Sequence, residues 1–278
     1  MSVRFAAVSW AKKGVKLALL GPATVRRERA PGLFVLIYHR IGARAGLELD
    51  LPEATFRSQM RHLREHAAVV PLRDALEAMA AGRGLGRDVV AVTFDDGYLD
   101  VATRAWPVLR DLAIPATLFL ATGFLDRDVP APLSRAAVAG AEPPEPMSWD
   151  QVGEMAASGL VAVGSHSRTH RDFDRLSPTE AEDELGLAGE RIRGRLGVEP
   201  EVFAYPRAVV GHEHAVARHH RWAVAGDGGK NVAGRFHPHR ISRVPVRASD
   251  GLFFFRRRIS GIAPLEDRLY ARLRGSRA

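Results

Sequence analysis

Short, wholly apolar runs recur along this chain and alternate with stretches of helical period. Leu33–Tyr38 and Val89–Val92 are continuous apolar segments, Leu160–Val163, Val202–Tyr205 and Trp222–Ala225 repeat the pattern, and Ala116–Ala121 does so with Thr117 as its one polar residue. A run of four to six apolar residues bounded by polar turns reads as a strand buried on both faces. Between them, Phe56, Met60 and Leu63 have helical spacing in a segment reaching His66. Leu72–Ala81 is closed by Gly82, Val101–Leu112 carries Trp106, Leu109 and Leu112 on one face, and a helix is expected over 212–220. Two capping boxes, Ser148-x-x-Gln151 and Ser177-Pro178-Thr179-Glu180, open helices running to Ser158 and about Leu196. Strand and helix in alternation predict an α/β fold with a parallel sheet and crossover helices. About seven such units suit a barrel, in which all strand C-termini share one face.

Polar residues collect at those C-termini. Val89–Thr93 runs into Asp95-Asp96-Gly97, Leu33–Tyr38 ends at His39, and Leu160–Val163 is followed by His166 and His170. A carboxylate with two imidazoles is a transition-metal ligand set, and a second carboxylate is left for proton transfer. The combination predicts metal-assisted hydrolysis. With eleven histidines in the chain, any single one is more readily a surface residue, and the pairing at i and i+4 beside Asp-Asp-Gly is what singles out these two. There is no cysteine, so the ligands must be His, Asp or Glu.

Thr93-Phe94-Asp95-Asp96-Gly97 together with His166-Ser167-Arg168-Thr169-His170 resembles the first two motifs of the polysaccharide deacetylases, carbohydrate esterase family 4. Tyr38-His39-Arg40 and Phe203-Ala204-Tyr205-Pro206 resemble the subgroup containing the poly-N-acetylglucosamine deacetylases. By motif order the resemblance spans about residues 33–258. It implies a distorted (β/α)7 barrel and removal of N-acetyl groups from a polysaccharide or glycoconjugate. It implies that Asp96, His166 and His170 bind the metal, that Asp95 is the general base and that His39 is the acid protonating the leaving amine. The backbone N–H of Arg207, after Tyr205 and Pro206, would help hold the developing oxyanion. The family places an arginine against the catalytic aspartate, a part that Arg243 or Arg207 would take here. Tyr205-Pro206-Arg207-Ala208 departs from the usual Tyr-Pro-Tyr-Gly, which alters loop shape and substrate contacts. The expected metal is zinc, with cobalt, nickel or manganese able to replace it. The six remaining histidines of the C-terminal half, His212, His214, His219, His220, His237 and His239, are expected on exposed loops or helices, and Trp149 and Trp222 in the core.

The expected organisation is one catalytic domain over 32–260, flanked by a basic amphipathic appendage at 1–31 and a basic helix within 261–278. Residues 124–146, with five prolines and no period, read as a long irregular insertion. Net charge is +8, which favours anionic partners. Arg256-Arg257-Arg258 beside Phe253–Phe255 is too short a basic run to make a nucleic-acid module, and no nucleic-acid partner is expected. No run of eighteen apolar residues and no signal-peptide pattern is present, so the expected location is cytoplasmic, with the basic ends offering peripheral contact to the anionic inner membrane face. The rival functions are a lipid-linked or nucleotide-linked sugar deacetylase, a non-sugar amide hydrolase, and a non-catalytic glycan- or membrane-binding relative.

Overall fold

The structure, a computed structural model, describes residues 30–42, 46–133, 144–226 and 228–260. The two appendages beyond residues 30 and 260 therefore lie outside the described residues. The chain begins with β1 (Gly32–Tyr38), followed by β2 (Arg40–Ile41), β3 (Asp50–Leu51), α1 (Glu53–His66), β4 (Ala68–Val69), α2 (Leu72–Ala80) and β5 (Val89–Asp96). A π-helical turn, Val101–Ala105, then leads into α3 (Trp106–Asp111). Next come β6 (Ala116–Leu120), α4 (Thr122–Leu125), α5 (Trp149–Ala157), β7 (Val161–Ser165), α6 (Pro178–Leu196), β8 (Val202–Ala204), α7 (Glu213–His219) and β9 (Trp222–Val224). The last elements are β10 (Asn231–Val232), β11 (Val244–Pro245) and α8 (Gly251–Arg258).

β1, β5, β6, β7, β8 and β9 pair in that order, all parallel. The sheet curls because its last edge meets its first through one segment. Ile241 bridges Val224 of β9 in parallel, and three residues later β11 pairs Leu36 and Ile37 of β1. Residues 241–245 thus serve as the seventh stave of a distorted barrel. β10 adds an antiparallel pair to the start of β1, and β4 pairs the start of β5.

Alternation along the strands divides the core. Leu33, Val35, Val89 and Ala91 join Phe119, Ala204 and Val224 in an inner cluster, which Leu72, Leu76 and Met79 of α2 complete. Phe34, Leu36, Tyr38, Val90, Val92 and Phe94 face the outer helices. Every residue of β1 and β5 is buried, which is why these strands read as unbroken apolar runs rather than alternating ones.

Several boundaries differ from the sequence reading. β5 continues through Asp95 and Asp96 instead of stopping at Thr93, because both residues still pair with β6. The helix expected over Val101–Leu112 is π-wound at its start: the Trp106 N–H bonds the Val101 carbonyl, and Pro107 has no N–H to donate. β7 is shifted to Val161–Ser165. Inside 124–146, Phe124 and Leu125 belong to α4, and both described ends are fastened to the acidic turn. The Met147 N–H bonds the Gly97 carbonyl at 3.0 Å, the Leu99 N–H bonds Glu145 at 2.9 Å, and the Leu133 N–H donates to the Tyr98 hydroxyl at 3.0 Å. Among the described residues, no helix is long and apolar enough to cross a membrane.

Candidate metal centre

The site is built where β1, β5, β7, β8 and the closing segment end. By strand alternation Asp95 continues the inner face of Ala91 and Thr93, so its carboxylate points into the mouth of the barrel. There Arg243 meets it: Nη1 donates to Oδ1 at 2.6 Å and Nη2 to Oδ2 at 2.9 Å. The guanidinium is itself buried, bonded through Nε to the Ala225 carbonyl at 3.0 Å and placed over the Phe119 ring. Burial works to raise the Asp95 pKa, yet Arg243, His166 and His39 outweigh it and hold it at about 2. A bidentate arginine is the geometry that stabilises a buried carboxylate best.

Asp96 follows directly but has the opposite electrostatics. Its φ of +75° departs from strand geometry, and its Oδ1 lies 3.4 Å from His166 Nε2 and 3.3 Å from His170 Nε2. Burial, and then the charge of Asp95, push its carboxyl up to about 8. Neither oxygen has a formed hydrogen bond, although the Tyr98 hydroxyl beside it tempers the rise. A buried carboxylate without partners is costly, and a cation between it and the two imidazoles removes that cost.

His166 emerges from the end of β7. Its Nδ1 is 2.7 Å from the Ala204 carbonyl, which can only accept, so the proton sits on Nδ1 and the Nε2 lone pair faces Asp96. His170 is presented by a tight loop in which Ser167 and His170 both have positive φ, 65° and 57°, and the Ser167 hydroxyl accepts the His170 N–H at 3.1 Å. Glu184 fastens this loop. It is buried on α6 and accepts from the backbone N–H groups of Arg168 at 2.9 Å and Thr169 at 2.7 Å, and from the Thr169 hydroxyl. Both imidazoles have lowered pKa values, chiefly through burial, and are neutral as metal ligands must be. The candidate ligand atoms of Asp96, His166 and His170 all lie within 4.8 Å of one another. One carboxylate oxygen and two imidazole nitrogens held this close together would suit a divalent transition metal.

His39, one residue beyond β1, brings Nε2 to 4.0 Å from Asp95 Oδ2. Burial, opposed by Asp95, lowers its pKa to about 4, so it rests neutral. The next residues are anchored by a buried pair: Arg40 Nε donates to Asp100 Oδ2 at 2.9 Å, and the Ile41 N–H to Asp100 Oδ1 at 3.2 Å.

Tyr205 and Pro206 are buried beside this cluster, while Arg207 and Ala208 take left-handed conformations, φ 52° and 60°. Five of the eight non-glycine residues with positive φ among the described residues lie in the site's own segments: Asp96, Ser167, His170, Arg207 and Ala208. Such concentration of strain is typical of functional loops. The Arg207 side chain is exposed and pairs with Asp172 at 2.5 Å, so of the two arginines considered for Asp95 it is Arg243 that meets it. His220 corrects another expectation: it is buried, stacked on Phe203 and bonded through Nδ1 to the Pro200 carbonyl at 2.7 Å. Trp222 is core as expected, and Trp149 is half-buried with its indole N–H on Asp126. Sequence reasoning missed Glu184 and the Arg40–Asp100 pair. Glu184 left a trace, since a glutamate falls on the apolar stripe of Ala181, Leu185, Ala188 and Ile192.

The profile of the polysaccharide deacetylase family matches residues 82–221, half of the chain. The chain belongs to the polysaccharide deacetylase family. YxkH of Bacillus subtilis, named after that family, is 23% identical over 185 residues, 66% of this chain and 60% of that protein. The poly-beta-1,6-N-acetyl-D-glucosamine N-deacetylase of Escherichia coli is 28% identical over 142 residues, 49% of this chain and 20% of its own length. The matched region thus spans less than two thirds of either relative. Among solved structures, the Streptococcus pyogenes deacetylase PplD superposes with a TM-score of 0.68 at 19% identity, covering 83% of this chain and 99% of that one. IcaB from Ammonifex degensii gives 0.67 at 24% identity, covering 84% and 97%. At these identities the likeness speaks for the fold, in agreement with the barrel seen here. Deacetylases of this family depend on a metal, and Asp96, His166 and His170 form a group able to hold one.

Proposed function

We propose that this chain is a metal-dependent hydrolase removing the acetyl group from an N-acetylated sugar of a glycan, with Asp96, His166 and His170 as the metal ligands and zinc as the metal. The observation that carries the reading is the meeting of these three buried ligand atoms next to a carboxylate already charged by Arg243. A bound divalent cation would lower the pKa of a water and polarise the acetyl carbonyl.

Asp95 serves as the general base. Held ionised well below neutrality, it is always ready to take a proton from the attacking water, and Arg243 keeps its plane fixed. His39 serves as the acid toward the leaving amine. It rests neutral and must first gain a proton, and Asp95 Oδ2, 4.0 Å from its Nε2, is placed to pass on the one taken from water. The proton then goes to the amine nitrogen as the C–N bond breaks and acetate leaves. The Arg207 N–H, on a left-handed turn after buried Pro206, would donate to the acetyl oxygen as negative charge develops there.

The N-acetylglucosamine polymer named for the Escherichia coli relative is the first substrate class to try. The test is acetate release from β-1,6- and β-1,4-linked N-acetylglucosamine oligomers in the presence of zinc, cobalt, nickel or manganese. Asp95→Asn should lower the rate by about 10²–10⁴-fold while the protein still binds one metal ion. Near-normal release by that variant would refute the assigned base. Metal-free protein that cannot be reconstituted, and releases no acetate, would favour a non-catalytic relative instead.

A further inference from the structure

Helix α8 presents a face that the barrel does not use. Among the described residues only three large hydrophobic side chains are exposed, and two of them, Leu252 and Phe253, are neighbours in its first turn. Phe253 is the most exposed of the three, at 56%. Arg256 and Arg257 follow at i+3 and i+4 from Phe253, so they share its face, and the Arg257 guanidinium lies 6.0 Å from the Phe253 ring. The opposite face is firmly held. Phe255 is buried edge-on to His62 of α1, and Arg258 is buried against Asp250, with Nε donating to Oδ2 at 2.9 Å. The outward direction of Leu252, Phe253, Arg256 and Arg257 is thus set by the packing of Phe255 and Arg258 on the opposite face.

We propose that this face of α8 docks on an anionic phospholipid bilayer. An apolar tip with arginines one turn away is the arrangement by which interfacial helices seat themselves: aliphatic and aromatic groups enter the acyl boundary, and guanidinium groups stay at the phosphates. Charge complementarity selects the partner. No acidic residue occurs within 251–258, the chain carries a net charge of +8, and the sequence after α8 adds Arg268, Arg272, Arg274 and Arg277 against Glu266 and Asp267. The orientation is also suitable. β11 runs parallel to β1, so α8 begins from the end of the barrel at which the metal centre lies, and Leu252 and Phe253 are in its first turn. A docked molecule would keep its catalytic mouth close to the membrane surface.

The experiment is co-sedimentation of the full chain with vesicles of phosphatidylcholine alone or with phosphatidylglycerol added. Binding should require phosphatidylglycerol and weaken with salt. The double variant L252S/F253S should bind about tenfold or more weakly, from the apolar area withheld, and each of Arg256→Gln and Arg257→Gln about fivefold more weakly. All four positions are outside the catalytic machinery, so acetate release from a soluble oligomer, or in its absence the far-ultraviolet circular dichroism, should be unchanged. Absence of binding, equal binding to neutral vesicles, or binding indifferent to these substitutions would overturn the proposal. So would light scattering showing a dimer that L252S/F253S dissolves, or a DNA duplex that depends on the same residues while vesicles do not bind. None of these outcomes would touch the deacetylase reading.

Discussion

At the residue scale, the site rests on two adjacent aspartates driven in opposite directions by their surroundings. Asp95 has a bidentate arginine and stays charged; Asp96 has none and resists ionisation. Arg243→Met would leave the Asp95 carboxylate buried and unpaired. The expected loss is about 3–5 kcal/mol of stability, measured by urea denaturation, with a rise in the Asp95 pKa. Arg243→Lys keeps the charge but not the fork, and should recover part of the stability and little of the activity. Equal stability of the methionine and wild-type proteins would show that the pair is not what holds that carboxylate.

At the scale of elements, the loops are fastened by groups that belong to neighbouring helices. α6 begins with a complete capping box: the Ser177 side chain accepts from the Glu180 N–H at 3.3 Å and Glu180 accepts the Ser177 N–H at 2.8 Å. Ser177→Ala should cost about 1 kcal/mol, read as a lower urea midpoint with unchanged slope. The same helix carries Glu184 under the His166–His170 loop, so Glu184→Gln, which keeps the shape and loses the charge, should lower metal affinity about 10–100-fold by isothermal titration. The acidic turn has its own constraint. Gly97 sits at φ +93°, and a Cβ there would stand 2.5 Å from Leu125 Cδ1. Gly97→Ala should therefore strain the turn, at a φ that residues with a side chain rarely adopt, and push the Leu125 side chain aside, with a drop in thermal midpoint and in metal affinity together.

At the scale of the molecule, stability, pH and metal binding are linked through the buried cluster. The folded Asp96 carboxyl holds its proton to about pH 8, whereas an unperturbed one loses it near 3.8. In the metal-free protein this group therefore withdraws stability as pH rises between those values. His39, lowered to about 4 from 6.5, acts in the opposite sense and adds stability as pH rises through that lower window. Between pH 6.5 and 8 the loss from Asp96 amounts to about 2 kcal/mol at 1.4 kcal/mol per unit, while the gain from His39 fades out above its unfolded value of 6.5. A cation that takes the place of the proton removes this loss. The zinc-induced rise in Tm should consequently be larger at pH 8 than at pH 6.5, by scanning calorimetry with zinc or chelator. An equal rise at the two values would place the metal elsewhere than on Asp96.

Apolar runs, capping boxes and the polar residues that end the strands were legible in the sequence, because strand burial, helix capping and turn chemistry are local. They determined the alternating α/β class and singled out Asp95, Asp96, His166 and His170. The tertiary structure alone decided which arginine serves Asp95, because Arg243 lies 148 residues away and reaches it only when residues 241–245 close the ring. It alone set the two aspartates apart, holding Asp95 ionised and, in the metal-free protein, pushing the Asp96 carboxyl upward, since no local pattern distinguishes two neighbouring aspartates until burial and an ion pair act on them unequally. Glu184, Asp100 and the turned backbone of Asp96 belong to the same class: each matters through what is packed against it, and that packing exists only after the barrel has formed.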